Sequence, residues 1–391
     1  MRLPHVLPPA TAALLALTTA ACSAQATDAS TVAPAEATAS TTRAESRLLH
    51  EVFVSDESVY ARKADSAFAK LTDAQRVAQL IVTTGGRLGK DQVEIRRLVG
   101  EGVVGGVIYL ANDYEDHRTQ VADIRAAERA AGVPVPFWYS IDAEPSLLYR
   151  RIVGGPAVTP AADMTSDAEA ARVATTIDSV LHDLGYHWNF APVIDLGTEN
   201  AAIKNRSFGF SPDTVASRAI AFVEATQAGG VMACIKHFPG HGLVEGDTHK
   251  GSVFIDGEME EYGVYEAVLA EADPLSLMVG HITVRNNDFA TDELPASLSR
   301  RITHDLVRDE LGYPGIVVTD ALNMMAAATK YGPEAPLMAS KAGADVILMP
   351  ADERLVHEQI SAAMAADEAY RAQVYASVDR VLRAKAWLGL Y

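Results

Sequence analysis

The chain has 391 residues, of which 49% are hydrophobic and 7% aromatic, which is typical of a folded protein with a large core. Its formal net charge of −18 argues against nucleic acid and anionic membrane surfaces as partners, because like charges repel. Its two cysteines, Cys22 and Cys234, cannot form a disulfide framework. Cys234 lies within an apolar strand pattern and is expected to be a small buried hydrophobic residue.

Residues 1–22 are predicted to be a signal peptide. Arg2 and His5 precede a weakly apolar run that is too short for a transmembrane helix, and small residues stand directly before Cys22. This end resembles a bacterial lipoprotein cleavage site, so we expect Cys22 to carry a lipid. The alternative is ordinary cleavage nearby, with Cys22 lost or free.

Residues 23–46 are almost all Ala, Thr, Ser, Glu, Pro and Gln. Such a composition cannot bury enough apolar surface to offset the entropy of ordering, so a disordered tether is predicted. A tether suits a lipid anchor that holds a domain away from a membrane. We therefore expect an exported, envelope-anchored protein, or a secreted one if Cys22 is not lipidated.

Eight apolar segments of strand length alternate with stretches that have helical periodicity. The predicted strands are 79–83, 105–110, 136–141, 188–191, 231–235, 275–280, 315–319 and 345–349. The predicted helices are 59–71, 116–131, 166–184, 212–228, 257–272 and 299–311, with a final helical pattern at 352–387. Eight such repeats predict an α/β fold, a (β/α)₈ TIM-type barrel that forms a single catalytic domain over residues 47–391. A doubly wound open sheet is the rival, but it gives no reason for polar groups at the ends of so many strands.

The densest polar segment follows the fifth predicted strand. It reads Lys236-His237-Phe238-Pro239-Gly240-His241-Gly242, and the loop after it ends in Asp247-Thr248-His249. In a barrel, the carboxyl ends of the strands carry the chemistry. The segment closely resembles the signature of family 3 glycoside hydrolases, in their β-N-acetylglucosaminidase branch. Only residues 243–246 depart from the Asp/Thr-rich filler that is usual there.

The resemblance implies two catalytic groups. Asp320, within Thr319-Asp320-Ala321-Leu322 at the end of the seventh strand, matches the family's nucleophile, although its position alone would equally fit a helix cap. Retaining glycosidases need such a carboxylate to form a covalent glycosyl intermediate. His249 matches the acid/base, with Asp247 as the residue that orients it, and an unperturbed histidine pKa near 6.5 suits both halves of the cycle.

The same resemblance implies a set of sugar-binding residues. These are Asp142, Arg150, Arg206, Lys236 and His237. Pro145 stands where the family has glycine, which stiffens the loop and leaves the placement of Arg150 open. Supporting roles are expected for Asp195, His241 and His281.

A metal site is not expected. His237 and His241 are four residues apart, a spacing that binds zinc on a helix, but Pro239 and Gly240 break any helix between them. A catalytic zinc would also need a third protein ligand. The chain has no glycine-rich phosphate loop, so no nucleotide cofactor is expected either.

The implied function is that of an exo-acting β-N-acetylglucosaminidase that removes terminal β-linked N-acetylglucosamine with retention of configuration, without metal or cofactor. Envelope anchoring makes peptidoglycan fragments the expected source of substrate, and a monomer is expected. A non-catalytic sugar-binding lipoprotein on the same barrel is the alternative from a different class. β-Glucosidase or phosphorylase specificity also stays open.

Overall fold

Eight parallel strands form one nearly closed sheet in the computed structural model, which describes residues 47–391. The predicted signal peptide, the tether and Cys22 lie outside the described residues. The barrel strands are β1 (Ile81–Gly85), β2 (Gly106–Tyr109), β3 (Trp138–Ile141), β4 (Trp188–Asn189), β5 (Met232–Phe238), β6 (Ser276–Val279), β7 (Ile316–Thr319) and β8 (Ile347–Leu348). Their order is β7-β6-β5-β4-β3-β2-β1-β8, and a parallel bridge between Val318 and Val346 joins the two ends. The predicted (β/α)₈ barrel is therefore confirmed.

Helices surround this sheet in the order that the sequence periodicity predicts. The α-helices are α1 (Val59–Phe68), α2 (Asp73–Ala78), α3 (Gln92–Glu101), α4 (Tyr114–Ala131), α5 (Leu148–Arg151), α6 (Asp167–Leu184), α7 (Pro212–Ala228), α8 (Tyr262–Glu271), α9 (Met325–Tyr331), α10 (Ala335–Ala342), α11 (Glu353–Ala366) and α12 (Glu368–Trp387). Two π-helices, His50–Val54 and Arg301–Glu310, and four 3₁₀ turns, Ala161–Asp163, Lys204–Arg206, Ala296–Leu298 and Gly332–Glu334, complete the helical elements of the described chain. Within residues 47–391, none of the helices combines the length and apolar character needed to span a bilayer.

Helix ends follow local chemistry, which is why several predicted bounds are accurate. The predicted helix 212–228 coincides with α7, which starts at Pro212 after the side chain of Ser211 caps it. The predicted helical pattern at 352–387 is instead two helices. Asp367 separates them, because its Oδ1 accepts from the amides of Ala369 and Tyr370 and so starts α12.

Two further differences bear on the loops above the barrel. Strand β5 continues to Phe238, three residues beyond the predicted end, so that Lys236 and His237 belong to the strand itself. Helix α8 begins at Tyr262 rather than at 257, where Gly257 has a left-handed backbone with φ of 93°. The segment before it, Val253–Asp256, forms a strand that pairs with Ile282–Arg285. A second short parallel pair joins Asn112–Asp113 to Ile152–Val153.

Aromatic side chains fill the amino-terminal half of the barrel. Trp138 and Trp188 are both fully buried, with ring centroids 4.7 Å apart. Trp138 needs Gly106 beside it, since a Cβ there would lie 2.1 Å from the indole ring. The indole N–H of Trp188 donates to Ser276 Oγ at 2.8 Å. This packed layer closes the barrel from below, and the open end lies at the carboxyl ends of the strands.

Candidate active site

A cavity of about 430 Å³ lies at the carboxyl ends of the barrel strands. Seven of the eight residues predicted for catalysis or sugar binding line it, namely Asp142, Arg150, Arg206, Lys236, His237, His249 and Asp320. The eighth, Asp247, contacts His249. Loops that follow β3, β4, β5 and β7 therefore bring distant residues to one place.

Asp320 follows β7 directly, at the base of this cavity. Its Oδ1 accepts from the amide of Ala321 at 2.7 Å, while Oδ2 has no partner among residues 47–391. Burial alone would raise the pKa of Asp320, but the imidazoles of His237 and His281 and the Ala321 amide lower it to about 2. Asp320 is therefore ionised at neutral pH, with one oxygen free.

His281 contacts Ala321, the residue that follows Asp320. Its Nε2 lies 3.0 Å from the Ala321 carbonyl and must donate, while Nδ1 lies 2.7 Å from Ser297 Oγ and accepts. Burial lowers the pKa of His281, in keeping with this neutral form. His281 also fixes the position of the Ala321 peptide, whose amide donates to Asp320.

His249 lies on the loop after β5, with its side chain 60% exposed. Its Nδ1 lies 2.9 Å from Asp247 Oδ1, which also accepts the backbone amide of His249 at 3.0 Å. Burial opposes charge on Asp247, yet these two bonds and a contact with Lys250 lower its pKa. An ionised Asp247 holds the proton on Nδ1, so Nε2 of His249 is left for exchange with other molecules.

Four charged side chains form a buried network along one wall. Lys236 Nζ lies 2.7 Å from both Asp142 Oδ1 and Glu144 Oε1. Arg206 pairs with Glu144 through two bonds of 2.7 and 2.8 Å. Although burial disfavours its charge, Arg206 and Lys236 hold the pKa of Glu144 well below its usual range. The network fixes both cations at the cavity surface.

His237 is held from beneath by Asp195. The carboxylate accepts from Nδ1 of His237 at 2.7 Å and from the amides of His237 and His241 at 3.1 and 2.9 Å. On its other side, Nε2 of His237 lies 3.3 Å from Arg206 Nη2. The ring of His241 faces Thr248 instead, with Nε2 3.0 Å from Oγ1. The two rings thus engage different partners.

Arg150, predicted to contact the sugar, and its neighbour Arg151 have different surroundings. Arg150 lines the cavity, as expected, and stacks on Tyr149 with 5.3 Å between guanidinium and ring. Arg151 instead contacts Asp142, at 3.4 Å, and donates to the Leu110 carbonyl at 3.0 Å. Arg151, which was not predicted as a site residue, is therefore the arginine that pairs with Asp142.

The loop that carries His249 is held at its start, at Gly242 and Leu243. Gly242 lies against the backbone, since a Cβ there would be 1.7 Å from the Leu196 carbonyl oxygen. Buried Glu261 accepts the amides of Leu196, Gly242 and Leu243. Burial and the charge of Asp195 raise the pKa of Glu261 to about 8. These contacts fix the start of the loop that carries His249 relative to the barrel.

The cavity is cationic although the whole chain carries a net charge of −18. Five cations line it, Arg150, Arg151, Lys204, Arg206 and Lys236, against two carboxylates, Asp142 and Asp320. Lys204 and Met349, both in the lining, have left-handed backbones with φ of 50° and 52°. Left-handed conformations are costly for such residues and concentrate at functional sites.

Sequence reasoning missed three residues of this site. Glu144, Arg151 and Lys204 have no assigned role in the motif analysis, yet each contacts a predicted site residue or lines the cavity. The position of Glu144, two residues after Asp142 at a strand end, is a signal that could have indicated it, because alternate residues of an extended segment face the same side. No sequence signal separates Arg151 from Arg150.

Comparison with known proteins gives a consistent picture. Residues 72–384 match the model of the glycosyl hydrolase family 3 N-terminal domain. The chain is 28% identical over 330 residues to β-hexosaminidase A of Pseudoalteromonas piscicida, covering 75% of this chain and 55% of that protein. It is 33% identical over 273 residues to a β-hexosaminidase of Xanthomonas axonopodis pv. citri, covering 66% of this chain and 80% of that protein. A family 3 β-N-acetylglucosaminidase structure from a Paenibacillus species aligns with a TM-score of 0.72 and 30% identity, covering 82% of this chain and 63% of that one.

Proposed function

The chain belongs to glycosyl hydrolase family 3, whose N-terminal-domain model matches residues 72–384, and on that premise we propose that it is a retaining β-N-acetylglucosaminidase. The reaction would release terminal non-reducing β-linked N-acetylglucosamine. The observation that carries the proposal is that Asp320 and the His249–Asp247 pair face one cavity together with the buried cationic network. The hexosaminidase names of its relatives favour an N-acetylated sugar.

In the first step, Asp320 attacks the anomeric carbon. Its low pKa keeps the carboxylate ionised, and Oδ2 is the oxygen left free to form the glycosyl ester. Protonated His249 gives its Nε2 proton to the glycosidic oxygen, so the leaving group departs as a neutral alcohol. Asp247 stabilises the imidazolium before that transfer.

In the second step, water replaces the enzyme on the sugar. Neutral His249 takes a proton from water through Nε2, and the resulting hydroxide-like oxygen attacks the anomeric carbon. The bond to Asp320 breaks and its carboxylate returns. Two inversions give net retention, and both proton transfers use one imidazole.

Asp142, Arg206, Lys236 and His237 would hold the sugar. Salt bridges fix Lys236 and Arg206, and His237 is fixed by Asp195, so their positions do not have to be ordered when substrate binds. Arg150 is more exposed and lies nearer the cavity mouth. We assign it to contacts with the leaving group or the outer face of the sugar.

The test compares 4-nitrophenyl β-N-acetylglucosaminide with 4-nitrophenyl β-glucoside on wild type and on Asp320→Asn. We expect a preference for the N-acetylated substrate and a loss of roughly 10⁴-fold or more in the variant, as for removal of a nucleophile. Asp213→Asn, an exposed carboxylate at the start of α7, is the matched control and should keep wild-type activity. NMR should show β-N-acetylglucosamine as the first product.

Two results would count against the proposal. Equal activity in wild type and Asp320→Asn would remove the nucleophile assignment. Inactive wild type that still binds N-acetylglucosamine would favour the non-catalytic sugar-binding protein.

Peptidoglycan fragments are the substrate source that we propose. Arg150 and Lys204 line the cavity, and neither has an acidic partner within residues 47–391. Muramic acid carries a lactyl carboxylate beside its glycosidic oxygen, so a leaving group of this kind would bring an anion to the cavity. A chitin oligomer offers no such charge.

The two sources can be separated by substrate pairs. N-acetylglucosaminyl-N-acetylmuramic acid and chitobiose are compared on wild type, Lys204→Gln and Arg150→Gln. We expect kcat/KM to fall about tenfold for the carboxylate-bearing substrate alone, as a charged hydrogen bond is lost. Equal losses on both substrates would refute the carboxylate contact and leave the glycosidase assignment intact.

Export and anchoring through Cys22 complete the proposal. The support is the sequence pattern of residues 1–46 alone. Metabolic labelling with an alkyne fatty acid should mark the wild type and not Cys22→Ser. Label in both proteins would contradict lipidation at Cys22.

A further inference from the structure

A second cavity, of about 500 Å³, lies at the amino-terminal end of the barrel. Its walls include the last turns of α4, the segment before β3 and His187, the residue before β4. Asp320 and His249 follow the carboxyl ends of their strands, so the two cavities lie at opposite ends of the barrel. Nothing in the proposed glycosidase chemistry uses this second cavity.

The proton position on His187 follows from its hydrogen bonds. The backbone amide of Tyr139 donates to Nδ1 at 3.2 Å, so Nδ1 carries no hydrogen. A neutral imidazole has one N–H, which must then be on Nε2. Turning the ring by 180° would place a C–H group against the Tyr139 amide and lose that bond. Burial and the nearby charge of Arg125 lower the pKa of His187 to about 3, so the ring is neutral.

This assignment leaves two donors facing each other. Nε2–H of His187 lies 3.1 Å from Nη2 of Arg125, and a guanidinium has no acceptor. Nη2 already donates to the Gly185 carbonyl at 2.8 Å. The His187 N–H therefore lacks a protein acceptor among residues 47–391. A largely buried donor without an acceptor is uncommon and needs an explanation.

Charge in the cavity favours an anion as the missing acceptor. Arg125 and Arg129 both line it, and neither makes a salt bridge to a carboxylate within residues 47–391. Glu128 is the acid in the lining, but both of its oxygens are occupied, by the Phe137 amide and the Tyr139 hydroxyl. Arg129 stands in the last turn of α4, at the edge of the cavity. Arg125 and Arg129 together with Glu128 therefore give the cavity lining a net charge of +1.

We propose that this cavity binds a small oxyanion, held by the guanidinium of Arg125 and the Nε2–H of His187, with Arg129 adding charge at its edge. One oxygen placed between the two donors would satisfy both at once. Guanidinium groups suit such ligands because their parallel N–H bonds match phosphate and carboxylate oxygens. Phosphate and carboxylate ligands share this chemistry.

The test titrates inorganic phosphate, and separately acetate, into the full protein at constant ionic strength by calorimetry. To remove the two cations of the glycosidase cavity that have no acidic partner among the described residues, the protein carries Arg150→Gln and Lys204→Gln. We expect saturable binding to persist in this background, and Arg125→Gln to weaken it at least tenfold by loss of charge-assisted bonds. Arg129→Gln should weaken it less. Tighter binding of phosphate than of acetate would identify a tetrahedral anion as the ligand. Tighter binding of acetate would identify a carboxylate.

Two further readouts separate binding from misfolding. Nitrogen NMR of His187 should show the Nε2–H form and a shift of that resonance on adding phosphate. Arg125→Lys should keep the fold and part of the affinity, and Arg125→Gln should leave hydrolysis of the chromogenic substrate unchanged. Absence of anion binding in the background protein, or binding unchanged by Arg125→Gln, would overturn the proposal and leave water as the acceptor.

Discussion

Replacing Glu144 by glutamine tests whether the buried ion network positions Arg206 and Lys236, the cations that we propose to bind the sugar. Glu144 is only 1% exposed, and it accepts two bonds from Arg206 and one contact from Lys236. Glutamine keeps the shape of the side chain, but it removes the negative charge. Its amide group also presents N–H donors to one of the two cations. Lys236 would then keep its salt bridge to Asp142, while Arg206 would keep only the longer-range interactions with the charges of Asp142 and Asp195.

The expected cost can be worked from these contacts. Removing one partner of a buried ion pair costs about 3–5 kcal/mol, because the remaining charge stays desolvated. For a folded part of this length, with an unfolding entropy of about 2.1 cal/mol/K per residue, that loss corresponds to a fall in Tm of roughly 4–7 °C. The folded-state pKa of Glu144 is depressed below its ordinary value of 4.5, so its stabilising effect is present above that pH and is lost as pH falls through the folded-state pKa.

Thermal unfolding from pH 3 to 8 checks this reasoning. The difference in Tm between wild type and Glu144→Gln should be constant from pH 5 to 8 and should narrow below pH 4. Glu358→Gln, an exposed glutamate on α11, is the matched control and should melt like wild type. Activity should fall at least tenfold in kcat/KM as Arg206 reorients. A Glu144→Gln protein that melts within 1 °C of wild type would refute the argument.

Three further predictions follow from single residues. His249→Ala should slow hydrolysis by roughly 10²–10⁴-fold for poor leaving groups and much less for 4-nitrophenol, which needs little protonation; equal losses across a leaving-group series would contradict the acid role. Gly242→Ala should destabilise the protein by roughly 1–3 kcal/mol or more in urea unfolding, because its Cβ would meet the Leu196 carbonyl at 1.7 Å. Buried Lys385 has a folded-state pKa of about 7, below its ordinary 10.5, so the unfolded chain binds the extra proton between these values and stability should rise with pH there, by up to roughly 1.4 kcal/mol per pH unit. Lys385→Met should lack that rise, and a parallel pH profile in the two proteins would disprove it.

Periodicity was sufficient for the barrel because each of its strands is a short apolar run between amphipathic helices. It failed where pairing partners are distant in sequence. The strand Val253–Asp256 forms because it pairs with Ile282–Arg285. The sequence of residues 253–256 alone does not indicate which segment pairs with it. Likewise, the break at Asp367 depends on a cap that competes with a continuous helical pattern.

The candidate site shows the same division. Asp142 and Asp320 were assigned through the resemblance to the family signature, and their strand-end positions are compatible with it because strand ends meet at one edge of a barrel. For Asp320, position alone would equally have fitted a helix cap. The role of Glu144 was not, since a buried carboxylate is tolerable only where cations meet it, and these come from positions 206 and 236. Which of Arg150 and Arg151 contacts Asp142 depends on the direction of each side chain at the end of α5.

The network also bears on which carboxylate can act as nucleophile. Asp142 is engaged on both oxygens, by Lys236 and Arg151, and both oxygens of Glu144 are engaged by Arg206, with Lys236 on one of them. Asp320 makes a single amide bond through Oδ1, and it faces the same cavity as His249. A nucleophile needs a lone pair that is not already committed to a cation, so Asp320 is the carboxylate that meets this condition. Its own low pKa comes from neighbouring imidazoles and an amide rather than from a salt bridge, which leaves the carboxylate charged, with Oδ2 available for the attack that we propose.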